Sequence, residues 1–191
     1  MKIGLLGGSF DPVHSGHIIL AKKSVSQLKL DFLIFVPAYL PPHKSRKLVS
    51  AYHRKKMLQL AIAGDKKFLI SEFELNRKKK IYTYQTLNYF QTKYHPPQSE
   101  IYFVIGSDSA NSFSSWAKSD NLTQMCKFVV GQRNRYPIPA DSKKYGFIKL
   151  SGRIPDISST FIRQQLKKGL SINRFVPFTV ENYIKKNHLY K

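Results

Sequence analysis

Short apolar runs alternate along the chain with longer amphipathic segments. Four of the runs are continuous enough to predict buried strands: Lys2–Leu6, Asp31–Val36, Glu100–Ile105 and Lys127–Gly131. A further run, Phe68–Leu75, alternates apolar and polar positions with a slip near Glu72, and this pattern also predicts a strand. The strands are therefore expected to be spread over most of the chain.

Between these runs the apolar residues recur at helical spacing. The predicted helices are His17–Leu28, Ala51–Ala63, Thr83–Tyr94, a segment opened by Ser158 or Ser159 that ends near Lys168, and Pro177–Asn187. Strands that alternate with helices in this way predict an α/β fold with a doubly wound parallel sheet and right-handed crossovers. The chain contains no internal repeat or linker, so we expect a single domain over residues 1–191. Its C-terminal helical part, about 156–191, is expected to pack on the sheet.

Charge narrows the possible partners. Thirty-two Lys and Arg residues stand against eleven Asp and Glu residues, which gives a formal net charge of +21 and indicates anionic partners. No apolar run approaches the roughly 18 residues of a spanning helix, so no membrane partner is expected. The single cysteine, Cys126, excludes an internal disulfide and a cysteine-cluster metal site, and it favours a reducing compartment. We therefore expect a cytoplasmic protein.

The segment Gly7–His17 contains the first candidate chemistry. Glycines after a strand let the backbone approach a ligand closely, and the helix that follows offers N–H groups and a positive dipole end to phosphate. His14 and His17 are three residues apart, so both imidazoles can lie on one side of a helical segment and reach one phosphate chain.

This segment resembles a known signature. Gly8–His17 is similar to the G-x-F-x-P-x-H-x-G-H motif of the nucleotidyltransferases with the (T/H)xGH motif, and Ile157–Arg163 is similar to their I-S-S-T-x-x-R motif. Between the two, the chain resembles the bacterial nicotinate-nucleotide adenylyltransferases at Pro41–Lys44, at Glu74–Arg77 with Tyr82-Thr83 and Thr86, at Ile105–Asp108 and at Trp116. The chain departs from that family at Lys79, Ile81 and the stretch Arg133–Arg135.

The resemblance implies a Rossmann-like fold of the nucleotidyltransferase type and an adenylyl transfer. Nicotinate mononucleotide would attack the α-phosphorus of ATP in line, without a covalent intermediate, to give nicotinate adenine dinucleotide (deamido-NAD) and pyrophosphate for NAD biosynthesis. By resemblance, the catalytic residues are His14, His17, Lys44 and Arg163. The residues implied to bind ATP are Gly8, Ser9, Phe10, His14, His17, Gly106, Asp108, Ile157, Ser158, Ser159, Thr160 and Arg163.

The same resemblance assigns the mononucleotide to a second group of residues: His43, Lys44, Tyr82, Thr83, Trp116 and Arg133. Mg²⁺ is expected to bridge phosphate oxygens with no metal ligand from the protein. Each of three positions has a plainer interpretation: Asp108 as a helix N-cap, Trp116 as a core residue and Arg133 as a solvated charge. A homo-oligomer is compatible with the sequence.

Two alternatives stay open. Within the family, the acceptor could be phosphopantetheine or nicotinamide mononucleotide, although Pro41–Lys44 and Tyr82-Thr83 favour the nicotinate acid. A nucleic-acid-binding protein is the other alternative, because of the positive charge. Its electrostatic footprint would consist of Lys22, Lys23, Arg54, Lys55, Lys56 and Arg77–Lys80. No nucleic-acid motif accompanies these side chains, so we expect no nucleic-acid partner.

Overall fold

A six-stranded parallel sheet forms the centre of the structure. The computed structural model describes residues 1–41, 48–95, 99–138 and 143–191. The strands of the described residues are β1 (Lys2–Gly8), β2 (Phe32–Pro37), β3 (Phe68–Ile70), β4 (Glu100–Gly106), β5 (Lys127–Gly131) and β6 (Ile148–Lys149). Within this part of the chain no helix has both the length and the apolar character needed to cross a bilayer.

Helices follow most of the strands. They are α1 (Ser15–Leu28), α2 (Ala51–Ile62), α3 (Phe73–Arg77), α4 (Thr83–Tyr94), α5 (Ser107–Asn111), α6 (Ser119–Met125), α7 (Ser159–Lys167) and α8 (Phe178–Lys186), with a 3-10 turn at Phe113–Ser115. The predicted strands and long helices are present, with ends displaced by one or two residues, except for the strand predicted over Phe68–Leu75. The short elements α5, α6 and β6 were not predicted, because they span too few residues to display a period.

The strand order is β3-β2-β1-β4-β5-β6. The chain builds β1, β2 and β3 outward in one direction and then returns to place β4 beside β1, where Leu6 pairs with Val104. The order of strands reverses between β1 and β4, and ligands of doubly wound sheets bind at the carboxyl ends of the strands at such a point. The predicted fold class is confirmed.

Both faces of the sheet are covered. Side chains alternate along the strands, so Leu6, Phe35 and Val104 belong to one hydrophobic core and Leu5, Val36 and Phe103 to the other. The first core also contains residues of the C-terminal region, namely Ile162, Ile172, Val176, Val180 and Ile184. Burial on both faces explains why these strands are apolar almost throughout.

The strand predicted over Phe68–Leu75 is shorter in the structure. It ends at Ile70, and Phe73–Arg77 forms α3 instead. The Phe73 N–H donates to the Ser71 side chain at 3.3 Å, and the Asn76 N–H donates to the Glu72 carbonyl oxygen at 2.9 Å. These local bonds turn the chain out of the sheet, so the break in alternation near Glu72 marked the end of a strand rather than a slip within it.

Candidate active site

A cavity of about 490 Å³ lies at the carboxyl ends of the central strands, where the strand order reverses. This volume is within the range of small-molecule sites. Most residues of the predicted site lie in its wall: Gly8, Ser9, His14, His17, Tyr82, Thr83, Gly106, Asp108, Trp116, Arg133, Ser158, Ser159 and Thr160. Residues from both ends of the sequence therefore meet around one space.

The loop after β1 is packed tightly beneath the cavity. Phe10 is fully buried in the left-handed region, with φ of 47°, and its ring lies edge-on to His17 at 5.0 Å between centroids. A Cβ atom on Gly8 would lie 3.0 Å from the Phe10 ring. Glycine at this position therefore allows the backbone to pass directly over the ring.

The two histidines form a stacked pair at the beginning of α1. Their ring centroids are 3.7 Å apart with an interplanar angle of 26°, and His14 is 1% exposed. The backbone N–H of His14 donates to His17 Nδ1 at 3.2 Å. Because Nδ1 accepts this bond, a neutral His17 carries its proton on Nε2. A Cβ atom on Gly16 would lie 3.0 Å from His14 Nδ1, so glycine leaves room for the pair.

Hydrogen bonds join the two sequence motifs directly. The Ser159 hydroxyl donates to the Pro12 carbonyl oxygen at 2.9 Å, and Arg163 Nη1 donates to the Asp11 carbonyl oxygen at 2.8 Å. A third bond comes from the C-terminal region, where the Tyr190 hydroxyl donates to Asp11 Oδ1 at 2.8 Å. The loop between β1 and α1 is thus held by α7 and by the last residues of the sequence.

The helix α7 begins at the cavity wall. Ser158 is its N-cap, and the Ser158 hydroxyl oxygen accepts the Phe161 N–H at 3.1 Å. The first N–H groups of a helix have no carbonyl partner within the helix, and the dipole places positive potential at that end. This end of α7, together with the histidine pair, suits a chain of phosphates.

Arg54 of α2 is buried, which contradicts its interpretation as part of a basic surface footprint. It is 1% exposed, and its guanidinium donates to the carbonyl oxygens of Ser9 (2.9 Å), Ala38 (2.6 Å), Tyr39 (3.3 Å) and Val49 (3.0 Å). It therefore ties the loop after β1 to the loop after β2. The sequence contained a signal for this, because Arg54 precedes the inward residues Met57 and Leu58 by three and four positions.

Asp108, Arg133 and Trp116 line the other part of the cavity. Arg133 Nη1 lies 3.6 Å from Asp108 Oδ2, and the Arg133 side chain is only 11% exposed. Asp108 stands in the first turn of α5, whose N-cap is Gly106, so Asp108 is not the N-cap of this helix. The low exposure of Arg133 excludes its interpretation as a solvated charge. Trp116 packs against Phe113 with 5.4 Å between ring centroids, and it also borders the cavity. It is both a core residue and a wall residue.

The segment before α4 contributes Tyr82 and Thr83. The Tyr82 N–H donates to Gln85 Oε1 at 2.9 Å. Glu74 of α3 lies in the same part of the wall, and it was missed as a site residue because its segment was interpreted as a strand. Burial raises the pKa of Glu74 to about 7, although the hydrogen bond from the Thr86 hydroxyl lowers it. The cavity wall therefore contains a carboxyl group whose pKa lies near neutral pH.

Three predicted residues stand beside the cavity rather than in its wall. Phe10 is buried beneath it, Ile157 is half-buried, and Arg163 bonds to Asp11 and Thr160. His43 and Lys44 lie outside the described residues. Among the residues described, no group of three His, Cys, Asp or Glu side chains could hold a metal ion. Burial raises the pKa of Cys126 to about 12, so its thiol is not a nucleophile at neutral pH.

The chain is similar along its length to proteins of several bacteria. A family model described as cytidylyltransferase-like matches residues 5–165. The probable nicotinate-nucleotide adenylyltransferase of Clostridium kluyveri is 36% identical over 204 residues, which cover 100% of both chains. The protein of the same description from Streptococcus pneumoniae is 38% identical over 190 residues, which cover 99% of this chain and 88% of the relative.

Solved structures share the fold. The structure of Plasmodium falciparum nicotinic acid mononucleotide adenylyltransferase complexed with NaAD has a TM-score of 0.84 to this chain at 24% identity. The match covers 99% of this chain and 97% of that one. A second structure of that protein, complexed with APC, has the same TM-score.

Replacing Arg54 tests whether the buried guanidinium organises the site. We expect Arg54→Ala to lower the free energy of unfolding by about 3 kcal/mol or more, because several buried carbonyl oxygens lose their donor. Urea denaturation measures this. Lys56→Ala, at an exposed position of the same helix, is the matched control and should change the free energy of unfolding by less than about 0.5 kcal/mol. Equal stability of the two variants would contradict the assignment.

Proposed function

This chain belongs to the nicotinate-nucleotide adenylyltransferases, a family with a cytidylyltransferase-like domain, and from that premise we propose which of its residues carry the reaction. The enzyme joins nicotinate mononucleotide to the adenylyl group of ATP, releases pyrophosphate and forms nicotinate adenine dinucleotide in NAD biosynthesis. The observation that carries the proposal is the meeting of the histidine pair and the start of α7 around one cavity.

The transfer proceeds by direct displacement. A phosphate oxygen of the mononucleotide attacks the α-phosphorus of ATP, a new P–O bond forms, and the bond to the leaving pyrophosphate breaks with its electron pair on the leaving oxygen. The protein's task is to align the two phosphates and to stabilise the charge on the leaving group. The unreactive Cys126 thiol fits a mechanism without a covalent intermediate.

His17 is the group we place closest to the reacting phosphorus. Its Nε2–H, present because Nδ1 accepts the His14 N–H, can donate a hydrogen bond to an α-phosphate oxygen as charge develops there. His14 supports the ring by stacking and contacts the same phosphate chain. Both histidines lie in the cavity wall, which supports this assignment.

The β- and γ-phosphates belong at the start of α7. Ser158, Ser159 and Thr160 offer backbone N–H groups there. Arg163 adds positive charge at this edge and fixes Asp11 through its carbonyl oxygen. Gly8, Ser9, Phe10 and Ile157 shape the floor and side of this subsite, and Gly106 and Asp108 would contact the adenylate ribose.

Mg²⁺ would bind together with ATP, as part of the ATP complex. The groups around the expected phosphate positions are imidazoles, hydroxyl groups and N–H groups, which suit phosphate oxygens better than a hard cation. The carboxyl groups of Asp108 and Glu74 lie in the other part of the wall. Phosphate oxygens and water would therefore supply the ligands of Mg²⁺, and the ion would neutralise charge on the phosphates. No step assigned here to a side chain depends on it.

The mononucleotide occupies the other part of the cavity. Trp116 would stack on the pyridine ring, and the N–H of Thr83 at the first position of α4 would meet the nicotinate carboxylate. The Tyr82 N–H, which now bonds to Gln85, would become available only if that side chain moved. Arg133 would pair with the mononucleotide phosphate. His43 and Lys44 stay a prediction from the sequence.

The broader setting is also part of the proposal. One nucleotidyltransferase domain over residues 1–191 would act in the cytoplasm on ATP and nicotinate mononucleotide, and a homo-oligomer is compatible with this activity. A nucleic-acid role is disfavoured by the burial of Arg54, which removes one member of the suggested footprint.

One assay tests the proposed function and separates it from the phosphopantetheine and amide alternatives. Purified protein with ATP and Mg²⁺ is offered nicotinate mononucleotide, nicotinamide mononucleotide or phosphopantetheine, and pyrophosphate release is measured. We expect the fastest release with nicotinate mononucleotide and none without an acceptor. Faster pyrophosphate release with either of the other acceptors would contradict the proposed substrate and identify that acceptor instead.

His17→Ala should lower turnover at least ~100-fold, because it removes a donor aimed at the charge of the transition state. Steady-state kinetics with saturating substrates measure the loss. His53→Ala is the matched control, since His53 lies on α2 and bonds to Tyr183 away from the cavity. Turnover near that of the wild type in the His17 variant would refute its role.

Trp116→Ala should raise the KM for the mononucleotide more than the KM for ATP, because the stacking surface for the pyridine ring is lost. Trp116→Phe keeps an aromatic face, so its KM for the mononucleotide should lie between those of the alanine variant and the wild type. Equal increases in both KM values would count against stacking.

A further inference from the structure

Glu74 places an acidic group in a cavity that we propose takes anionic ligands. It is 8% exposed and lines the wall together with Tyr82 and Thr83. Ionising a buried carboxyl group is unfavourable, and a negative charge here would repel a carboxylate or phosphate ligand. None of the roles assigned above uses this side chain.

The contact with Thr86 fixes where the carboxyl group lies. The Thr86 hydroxyl donates to Glu74 Oε1 at 2.6 Å, and Thr86 is 1% exposed. Thr86 stands in the first turn of α4, three positions after Thr83, whose N–H we assign to the nicotinate carboxylate. The Glu74 carboxyl group therefore lies against the same helical turn that would receive the acidic substituent of the substrate.

Charged side chains on and around α3 and α4 have partners of their own. Three of them are engaged as follows: Lys55 with Glu72 at 2.6 Å, Arg77 over the Phe73 ring at 5.1 Å, and Lys118 over the Tyr84 ring at 4.4 Å. The other titratable side chains of α3 and the turn before α4 are exposed: Lys78, Lys79, Lys80 and Tyr82. Among the described residues, the wall beyond adds His14, His17, Asp108 and Arg133.

We propose that Glu74 is a specificity-determining residue, whose ionisation against the first turn of α4 sets how strongly the enzyme prefers nicotinate mononucleotide over nicotinamide mononucleotide. The inference rests on the proposed function. The two substrates differ only in the ring substituent, which is an anion in the acid and neutral in the amide. A charge on Glu74 acts on that difference, because it repels the anion and leaves the neutral amide nearly unaffected.

The direction of the pH effect follows from burial. Burial raises the pKa of Glu74 to about 7, so the group is mainly neutral at pH 6 and mainly ionised at pH 8.5. The preference for the acid should therefore fall as pH rises through this range. The other ionisable groups of the wall are present in the wild type and in a Glu74→Gln variant alike, so a comparison of the two proteins isolates the contribution of Glu74.

The test is the ratio of kcat/KM for the acid to that for the amide, measured between pH 6 and 8.5. In the wild type the ratio should fall about fivefold across this range. Glu74→Gln keeps an acceptor for Thr86 without the charge, and its ratio should change less than twofold and exceed that of the wild type at pH 8.5. Thr86→Val removes the bond that favours the ionised form, so the fall should shift to higher pH.

The outcomes distinguish a failure of the role proposed for Glu74 from a failure of the proposed function. A ratio that is constant in the wild type, or that falls equally in Glu74→Gln, would overturn the role of Glu74 while leaving adenylyl transfer intact. A flat ratio in Glu74→Gln beside a falling ratio in the wild type supports it. If neither mononucleotide releases pyrophosphate from ATP, the proposed function fails and the inference fails with it. The KM for ATP, expected to be the same in all three proteins, verifies that the variants are folded.

Discussion

The geometry of the site depends on the hydrogen bonds that join the two ends of the sequence. Ser159 and Arg163 of α7 donate to the carbonyl oxygens of Pro12 and Asp11, and Tyr190 donates to the Asp11 side chain. The loop between β1 and α1 has no regular structure of its own, so these bonds decide where α1 begins. The position of His14 and His17 relative to α7 follows from them.

Buried Arg54 supports the same loop from the other side. Its guanidinium spans the carbonyl oxygens of Ser9 and Ala38, and so it couples the loops after two neighbouring strands. A positive charge and its associated donors are costly to bury unless each is satisfied. The cluster of carbonyl acceptors makes this arrangement specific, because no other side chain offers so many donors in a fixed plane.

Much of the fold could be predicted from the sequence because strands buried on both faces are apolar throughout, as in Glu100–Ile105. The site could be outlined because its signatures are local strings, Gly8–His17 and Ile157–Arg163. Tyr190 and Glu74 could not be placed in this way. Tyr190 acts through a contact with Asp11, which is distant in the sequence, and Glu74 lies on a short helix. Neither feature produces a periodic pattern. Arg54 was predictable in principle from its spacing to Met57, but its charge suggested exposure.

A crystal structure with a non-hydrolysable ATP analogue would test the central claim most directly. The account predicts that the triphosphate lies between the imidazoles of His14 and His17 and the first N–H groups of α7, with the bonds from Ser159 and Arg163 to the loop intact. A triphosphate bound elsewhere, or a loop that has separated from α7 in the complex, would contradict it.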